Sequence, residues 1–468
     1  MLKDMSLALL LRIAGTLAWL LLTVAMARTL PQAAFGSAMY ILNLLLLLVP
    51  FATLGMVTSS LRFGSIYWSR NSVGDFSRLT SQSMLIAVFG SVLTILAILT
   101  AWHLQLLPRG LPDALVFWSL PAIILSAIMA VNQNLIRGMG KIVGALLGFS
   151  VVRPLVPLIL YLAVAAFCDV NAVVAISLVV LGLLVGVIHQ AVLLLRSGVR
   201  GRYGLGHPGK HLSVALGVWP AEIASVMSVR IGGVVVGSML GVKAVALYLA
   251  ADRVAALAQF LLDAARVACA PHIARAAEGE RDCEGQGQSE SQGQSEIEEK
   301  GQGAQSLQEV VADTSLLMLL SGLAGCAGVA AIAYPALLLL GPEYGEGFSI
   351  VLVLVAGYLS WAICGPVGIV LTMSGHERIS SYVAVLGGIG AFALSWLAAG
   401  QVGMLGVAVV FALVSWLTNI AMAVAVKQAR GVNVGLLAID RAAWRRLQRT
   451  LSSAMKRYGI GGKAPNGK

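Results

Sequence analysis

Residues 172–195 read AVVAISLVVLGLLVGVIHQAVLLL, a run without a formal charge, bounded by Asn171 and Arg196. About 20 apolar residues in a helix cover the roughly 30 Å hydrocarbon layer of a bilayer. Only helices and closed barrels satisfy their own backbone there. A barrel would show short alternating segments, and this run is continuous. Working outward, similar runs precede it at roughly 6–28, 36–60, 80–103, 114–136 and 142–167. Others follow it at roughly 213–240, 245–271, 314–340, 348–373, 379–400 and 403–426. The chain therefore reads as an all-α polytopic membrane protein of about 12 transmembrane helices.

Composition agrees. Of 468 residues, 58% are hydrophobic and only 11% charged, where a soluble domain carries about a quarter charged residues. A soluble enzyme, a disordered tail and a nucleic-acid reader are excluded as classes. The formal net charge of +11 would suggest nucleic acid on a soluble chain; here it is read by position relative to the bilayer. One set of loops holds Arg62, Arg70, Arg78, Arg137, Lys141, Arg196, Arg200, Arg202 and Lys210, together with Lys3, Arg378 and a basic C-terminal tail. The opposite loops hold Arg28, Arg109 and Lys243. Positive charge marks the cytoplasmic side, so both termini are expected there, in a bacterial inner membrane. The 51 glycines suit close helix packing. The cysteines are scattered without a CxxC pair, so no structural metal, cofactor or disulfide framework is expected.

The runs divide into a six-helix lobe over 1–200 and a second over 201–430, enclosing a central cavity. A weak repeat supports this, since Leu30-Pro31-Gln32-Ala33-Ala34-Phe35-Gly36 and Leu240-Gly241-Val242-Lys243-Ala244-Val245-Ala246 are turns at corresponding places of the two halves. Residues 275–313 interrupt the second lobe. Gln286-Gly287-Gln288-Ser289-Glu290 nearly repeats as Gln292-Gly293-Gln294-Ser295-Glu296, and the stretch carries three basic against ten acidic residues. Low hydrophobicity and that charge predict a disordered cytoplasmic loop. In the tail, 431–468, Leu437, Trp444, Leu447, Leu451, Met455 and Tyr458 recur at helical spacing among Arg441, Arg445, Arg446, Arg449, Lys456 and Arg457. Such a helix suits an anionic membrane surface, or a docking site for membrane-associated enzymes.

Charges inside the spans carry the functional argument, because an ionisable group there is costly and faces a cavity or a partner. Five arginines fall in spans, Arg12, Arg153, Arg230, Arg253 and Arg266, against the acids Glu222, Asp252 and Asp263. Arg12, Thr16, Trp19 and Thr23 share one helical stripe, as do Asp252, Gln259, Asp263 and Arg266. Ser150, Arg153, Pro157 and Tyr161 lie close to one face, and Pro154 and Pro157 are expected to kink that helix. Internal pairing is one reading, Asp263 with Arg266 one turn away, and Glu222 with Arg253 or Arg230. The acids then serve as partners or as ion-coupling groups. The arginine surplus nonetheless predicts a cationic, substrate-binding cavity for an anionic headgroup, since a guanidinium makes bidentate bonds to phosphate and stays charged. His189, near the inner end of its span, is a candidate titrating group or a plain interfacial histidine. Asn132, Gln133 and Asn134 are expected to cap the fourth span.

At this point a resemblance enters. Ala27-Arg28-Thr29-Leu30, Phe35-Gly36, Leu54-Gly55-Met56, Ile136-Arg137-Gly138-Met139-Gly140-Lys141, Gly341-Pro342-Glu343-Tyr344-Gly345 and Leu371-Thr372-Met373-Ser374-Gly375-His376-Glu377-Arg378 follow in order over residues 5–430. As a series they resemble the polysaccharide-biosynthesis flippases of the O-antigen and teichuronic-acid type, in the multidrug/oligosaccharidyl-lipid/polysaccharide exporter superfamily. The resemblance implies helices in two lobes around a cavity and the flipping of a polyprenyl-diphosphate-linked oligosaccharide to the outer leaflet for surface polysaccharide such as lipopolysaccharide or exopolysaccharide. Cavity arginines for the diphosphate would suit Arg12, Arg153, Arg230 and Arg253. The lipid-linked oligosaccharide and membrane lipids are the implied partners, with a polysaccharide polymerase and glycosyltransferases beside them and no nucleic acid. The chain departs from many relatives in having no aspartate shortly after Arg230. Two other classes compete: an ion-coupled drug or metabolite exporter, which should have a net acidic cavity, and a membrane glycan polymerase or ligase. The short outer loops offer no nucleophile–base pair, and there is no GxxxxGK[ST] loop, so the expectation is a transporter and not an enzyme.

Overall fold

A computed structural model describes residues 2–108, 110–199, 208–260 and 306–446, with nine positions between 262 and 277 and Gln448 and Arg449. The described residues are helical, with no strand among them. In chain order the helices are α1 Leu2–Thr29, α2 Gln32–Thr53, α3 Met56–Ser69, α4 Val73–His103, α5 Asp113–Gly138, α6 Ile142–Leu146, a π-helical turn Leu147–Val152, α7 Arg153–Ala165, α8 Ala172–Arg196, α9 Pro208–Leu240 and α10 Val242–Ala255. Then follow α11 Leu307–Leu340, a 3-10 turn Pro342–Gly347, α12 Phe348–Cys364, α13 Val367–Met373, α14 Glu377–Gln401, α15 Met404–Arg430 and a 3-10 turn Gly435–Ala438. Among the described residues, 11 segments are long and apolar enough to cross a membrane. The run expected at 245–271 begins as α10 and continues into residues that are only partly described. Most of the acidic insert (278–305) and the tail from Thr450 onward lie outside the described residues.

Three runs are less simple than their hydropathy. The run over 36–60 is two helices, because Leu54 (φ 48°) and Gly55 (φ 77°) take left-handed backbone. The break is fixed by packing: a Cβ at Gly55 would lie 2.1 Å from the Ala215 carbonyl oxygen of α9, a position only glycine tolerates. The run over 348–373 breaks at Gly365 (φ 73°) and Pro366, between α12 and α13. The run over 142–167 is interrupted ahead of its prolines, by the π turn. Pro154 stands in the first turn of α7, where a missing N–H costs little. Asn132, Gln133 and Asn134 do not cap α5, which runs on to Gly138; Asn134 is buried and donates to the Ala130 carbonyl.

By contact the chain divides into two compact units, the first comprising Met1–Ala255, Ile332–Leu354 and Ala384–Val414. Within it α5 packs on α2, α3, α4 and α8, and α2 packs on α9 and α10. Small residues permit the closest approaches: a Cβ at Gly15 would meet the Ser150 carbonyl oxygen at 1.7 Å, and one at Gly36 the Val242 carbonyl oxygen at 1.9 Å. α1 thus lies against the π turn, and α2 against the start of α10. At its base, His211 of α9 is buried between Tyr67 Oη and Gln82 Oε1, each 2.8 Å from a ring nitrogen.

The second unit comprises Ala256–Ala331, Val355–Val383 and Ser415–Lys468. Its apolar cluster joins Leu307 and Val311 of α11, Val370 and Leu371 of α13, and Val432 and Val434 beyond α15. The chain after α15 is clamped to α11. Gln308 donates to the Asn433 carbonyl and accepts from its amide (3.3 and 2.8 Å), and the Gly435 amide donates to Ser315 Oγ at 3.1 Å.

Candidate functional site

The site is built in the first unit, where α1, α7, α9 and α10 each carry an arginine of the expected set. Arg153 opens α7 directly after the π turn. Such a turn re-aims the side chains that follow it and recurs at functional sites. The Arg153 guanidinium carbon stands 5.0 Å from the Phe149 ring centroid and 5.6 Å from that of Trp19 on α1. The guanidinium of Arg253, on α10, stands 5.9 Å from the same Trp19 ring. One indole therefore touches two cations that lie 100 positions apart in sequence.

Magnitudes decide what this cluster needs. A cation–π contact contributes about 0.5–2 kcal/mol, while an arginine at the centre of a membrane helix costs at least about 2.5–3.5 kcal/mol. Arg153 pairs with no carboxylate among the described residues. Two aromatic faces leave its N–H donors unmatched among the described residues, so water or an anion must meet them. Arg230, on α9, differs: its Nη1 stands 3.6 Å from Asp252 Oδ2 of α10, and Asp252 is 7% exposed. Asn43 of α2 donates to the Arg230 carbonyl at 2.9 Å and fixes that turn. Arg12, two turns before Trp19 on α1, is exposed and pairs with no carboxylate among the described residues.

One of the acids is placed otherwise than expected. Glu222 does not reach Arg253 or Arg230; its carboxylate accepts a short hydrogen bond from Thr58 of α3. The break at Leu54–Gly55 lays α3 along the first half of α9 and brings Thr58 opposite Glu222. Asp252 takes Arg230 as its partner. In the second unit, Asp263 and Arg266 pair as expected at 3.6 Å, and Arg266 lies 5.6 Å from the Trp361 ring centroid. His189 Nδ1 is buried without a hydrogen-bond partner beside Gly148 of the π turn. Among the described residues, no group of three His, Cys, Asp or Glu side chains could hold a metal ion.

Sequence spacing missed Phe149 and the pairing role of Trp19. Phe149 lies four residues before Arg153, the same-face signal of a helix, and was available. That Trp19 reaches Arg253 across helices had no sequence signal. The face formed by Ser150, Arg153, Pro157 and Tyr161 turns toward α1, where Tyr161 Oη and Thr29 Oγ1 are 2.6 Å apart.

Residues 1–277 match the model of a family described as polysaccharide biosynthesis protein. No match is found among curated proteins. Among solved structures, the lipid II flippase MurJ in an inward closed conformation aligns with a TM-score of 0.68 at 12% identity, over 99% of this chain and 94% of that one. A multidrug resistance MATE family transporter of the MOP superfamily, inward-facing, aligns at 0.67 and 13%, over 90% and 98%. A MOP superfamily transporter from Pyrococcus furiosus, described as having a binding pocket of reverse polarity, aligns at 0.62 and 15%, over 91% and 95%. At these identities the likeness is one of fold: the all-helical membrane fold of these transporters.

Proposed function

Because the chain belongs to the polysaccharide biosynthesis protein family, whose model matches residues 1–277, we propose that it is a flippase for a polyprenyl-diphosphate-linked oligosaccharide. It carries the headgroup from the inner to the outer leaflet of a bacterial inner membrane, with both termini in the cytoplasm. The observation that carries this reading is Arg153, cationic, flanked by Trp19 and Phe149, and without a carboxylate among the described residues. A diphosphate supplies the acceptors its fork lacks. Arg253 shares the indole and takes the neighbouring phosphate, and Arg12 offers charge two turns away on α1.

Transport by alternating access follows, with segments 1–200 and 201–430 as the moving lobes and the polyprenyl chain left in lipid. Asp252, held by Arg230, is the first candidate for ion coupling. An anionic headgroup competes with Asp252 for Arg230, so substrate entry and release of the acid are linked. Glu222, bonded to Thr58 where α3 meets α9, is the second, and Asp263 with Arg266 the third. The MATE-like fold keeps a drug or metabolite exporter as the competing reading. The excess of arginine over acid around Trp19 disfavours cationic drugs. A polymerase or ligase is a poorer fit, and such enzymes enter as partners beside glycosyltransferases.

The test is made in cells whose surface polysaccharide depends on the protein. Arg153→Gln should stop surface display and leave lipid-linked oligosaccharide accumulating on the inner side, with the protein still in the membrane. Normal display in that variant would remove the assignment.

A further inference from the structure

A groove of about 240 Å³ lies between α9 and α14, lined by Trp219, Ile223 and Met227 of the first helix and Val385, Gly388 and Ile389 of the second. The helices meet at its floor, where a Cβ on Gly388 would stand 3.1 Å from the Ala224 carbonyl oxygen. Ile389, 59% exposed, stands at its rim. The lining side chains are apolar. Their one polar atom, Trp219 Nε1, is satisfied within the chain, donating to the Pro50 carbonyl at 2.8 Å. Val385 lies eight residues beyond Glu377, where α14 begins, about 12 Å at 1.5 Å per residue. The groove therefore stands within the roughly 30 Å hydrocarbon layer.

The groove has a direction. Ile223, Met227 and Arg230 recur at i, i+4 and i+7 on α9, one stripe of the helix. It therefore ends one turn from a guanidinium, the one that stands 3.6 Å from Asp252. Acyl chains are as apolar as leucine, so an apolar groove in a bilayer gains nothing from hydrophobicity alone. What it selects is shape, through close van der Waals contact, together with an anion at the Arg230 end. Gly388 and Ala224 beside Trp219 and Ile389 make an uneven wall, which suits a methyl-branched chain better than a straight one.

On the flippase reading, we propose that the groove between α9 and α14 is the binding site for the polyprenyl chain of the lipid-linked substrate. It holds the isoprene units next to the diphosphate, and the rest of the chain stays in lipid. The two halves of the protein then divide the substrate between them. By the repeat of the turns at 30–36 and 240–246, α9 and α14 are the counterparts of α1 and α7. The first-half pair carries Arg12, Trp19 and Arg153, for the diphosphate. The second-half pair lines its groove with no charge, for the chain.

The experiment uses the full chain in phosphatidylcholine vesicles with a polyprenyl diphosphate that bears a diazirine on its third isoprene unit. After irradiation the adducts are mapped by peptide. They should concentrate in 219–227 and 385–389. Excess unlabelled polyprenyl diphosphate should lower them several-fold, and excess phosphatidylglycerol should not. Ile389→Trp, which fills the rim, should also lower adducts in the groove several-fold. The unaltered protein is mapped first, so a folding defect in that variant cannot decide the matter. Adducts that polyprenyl diphosphate displaces but that map elsewhere would overturn the groove and leave the flippase reading standing. Groove adducts displaced equally by phosphatidylglycerol would mean that a bilayer lipid fills it, and would overturn it too. If polyprenyl diphosphate displaced no adduct anywhere on the chain, the flippase reading and the groove would fall together.

Discussion

Arg153 is where the chemistry is most sharply posed, because two aromatic rings hold its guanidinium while no carboxylate among the described residues neutralises it. A charge-assisted hydrogen bond contributes about 1.5–3 kcal/mol, so Arg153→Gln should slow headgroup transfer by roughly tenfold or more. Arg153→Lys keeps the charge but loses the planar fork and its stacking, and should recover only part of the rate. Trp19→Leu removes the ring shared by Arg153 and Arg253. It should weaken diphosphate binding several-fold without changing expression, as read by competition with a soluble diphosphate analogue. The sequence already marked both arginines, since an intramembrane charge is conspicuous in any apolar run. It could not assign partners. Asp252 and Arg230 meet because α9 and α10 pack side by side, and Glu222 meets Thr58 because of a break in another helix. These are consequences of tertiary packing that no spacing rule contains.

Helix interruptions are the next level of detail, and here hydropathy was least informative. Left-handed residues at Leu54–Gly55 and the π turn at Leu147–Val152 leave an apolar run unbroken as a string of letters. Both are set by backbone contact with another helix: Gly55 against Ala215, and Gly15 against Ser150. Gly55→Ala combines a left-handed strain of about 1–2 kcal/mol with overlap against a backbone oxygen that cannot swing away. It should lower the apparent unfolding temperature in detergent by several degrees, whereas Gly140→Ala, also left-handed but with open space around it, should lower it less. Gly15→Ala should push α1 from the π turn and reduce transport along with stability, because Trp19 lies one turn further on α1. Equal unfolding temperatures for the Gly55 and Gly140 variants would contradict the packing account of the break.

For the whole molecule, charge and hydropathy decided most. The run over 172–195, read first, is α8 almost to the residue, and the other runs are mainly helical where the chain is described, with those over 36–60 and 348–373 each broken into two helices. The net charge of +11 conceals a balance of −7 in residues 275–313 and +18 elsewhere, and that larger surplus predicts orientation. Cys168 offers a direct check, since it is exposed between α7 and α8 while Cys326 and Cys364 are buried. In spheroplasts a membrane-impermeant maleimide should label Cys168 from outside, and Cys168→Ser should remove that labelling. Labelling of Cys168 only after the membrane is opened would invert the topology. The central claim, a cationic site for a lipid-linked diphosphate, is tested most directly in proteoliposomes. Transfer of a polyprenyl-diphosphate oligosaccharide between leaflets is followed with an impermeant lectin or glycosidase. The account predicts transfer by the unaltered protein and its loss in Arg153→Gln at equal incorporation; equal transfer by both would contradict it.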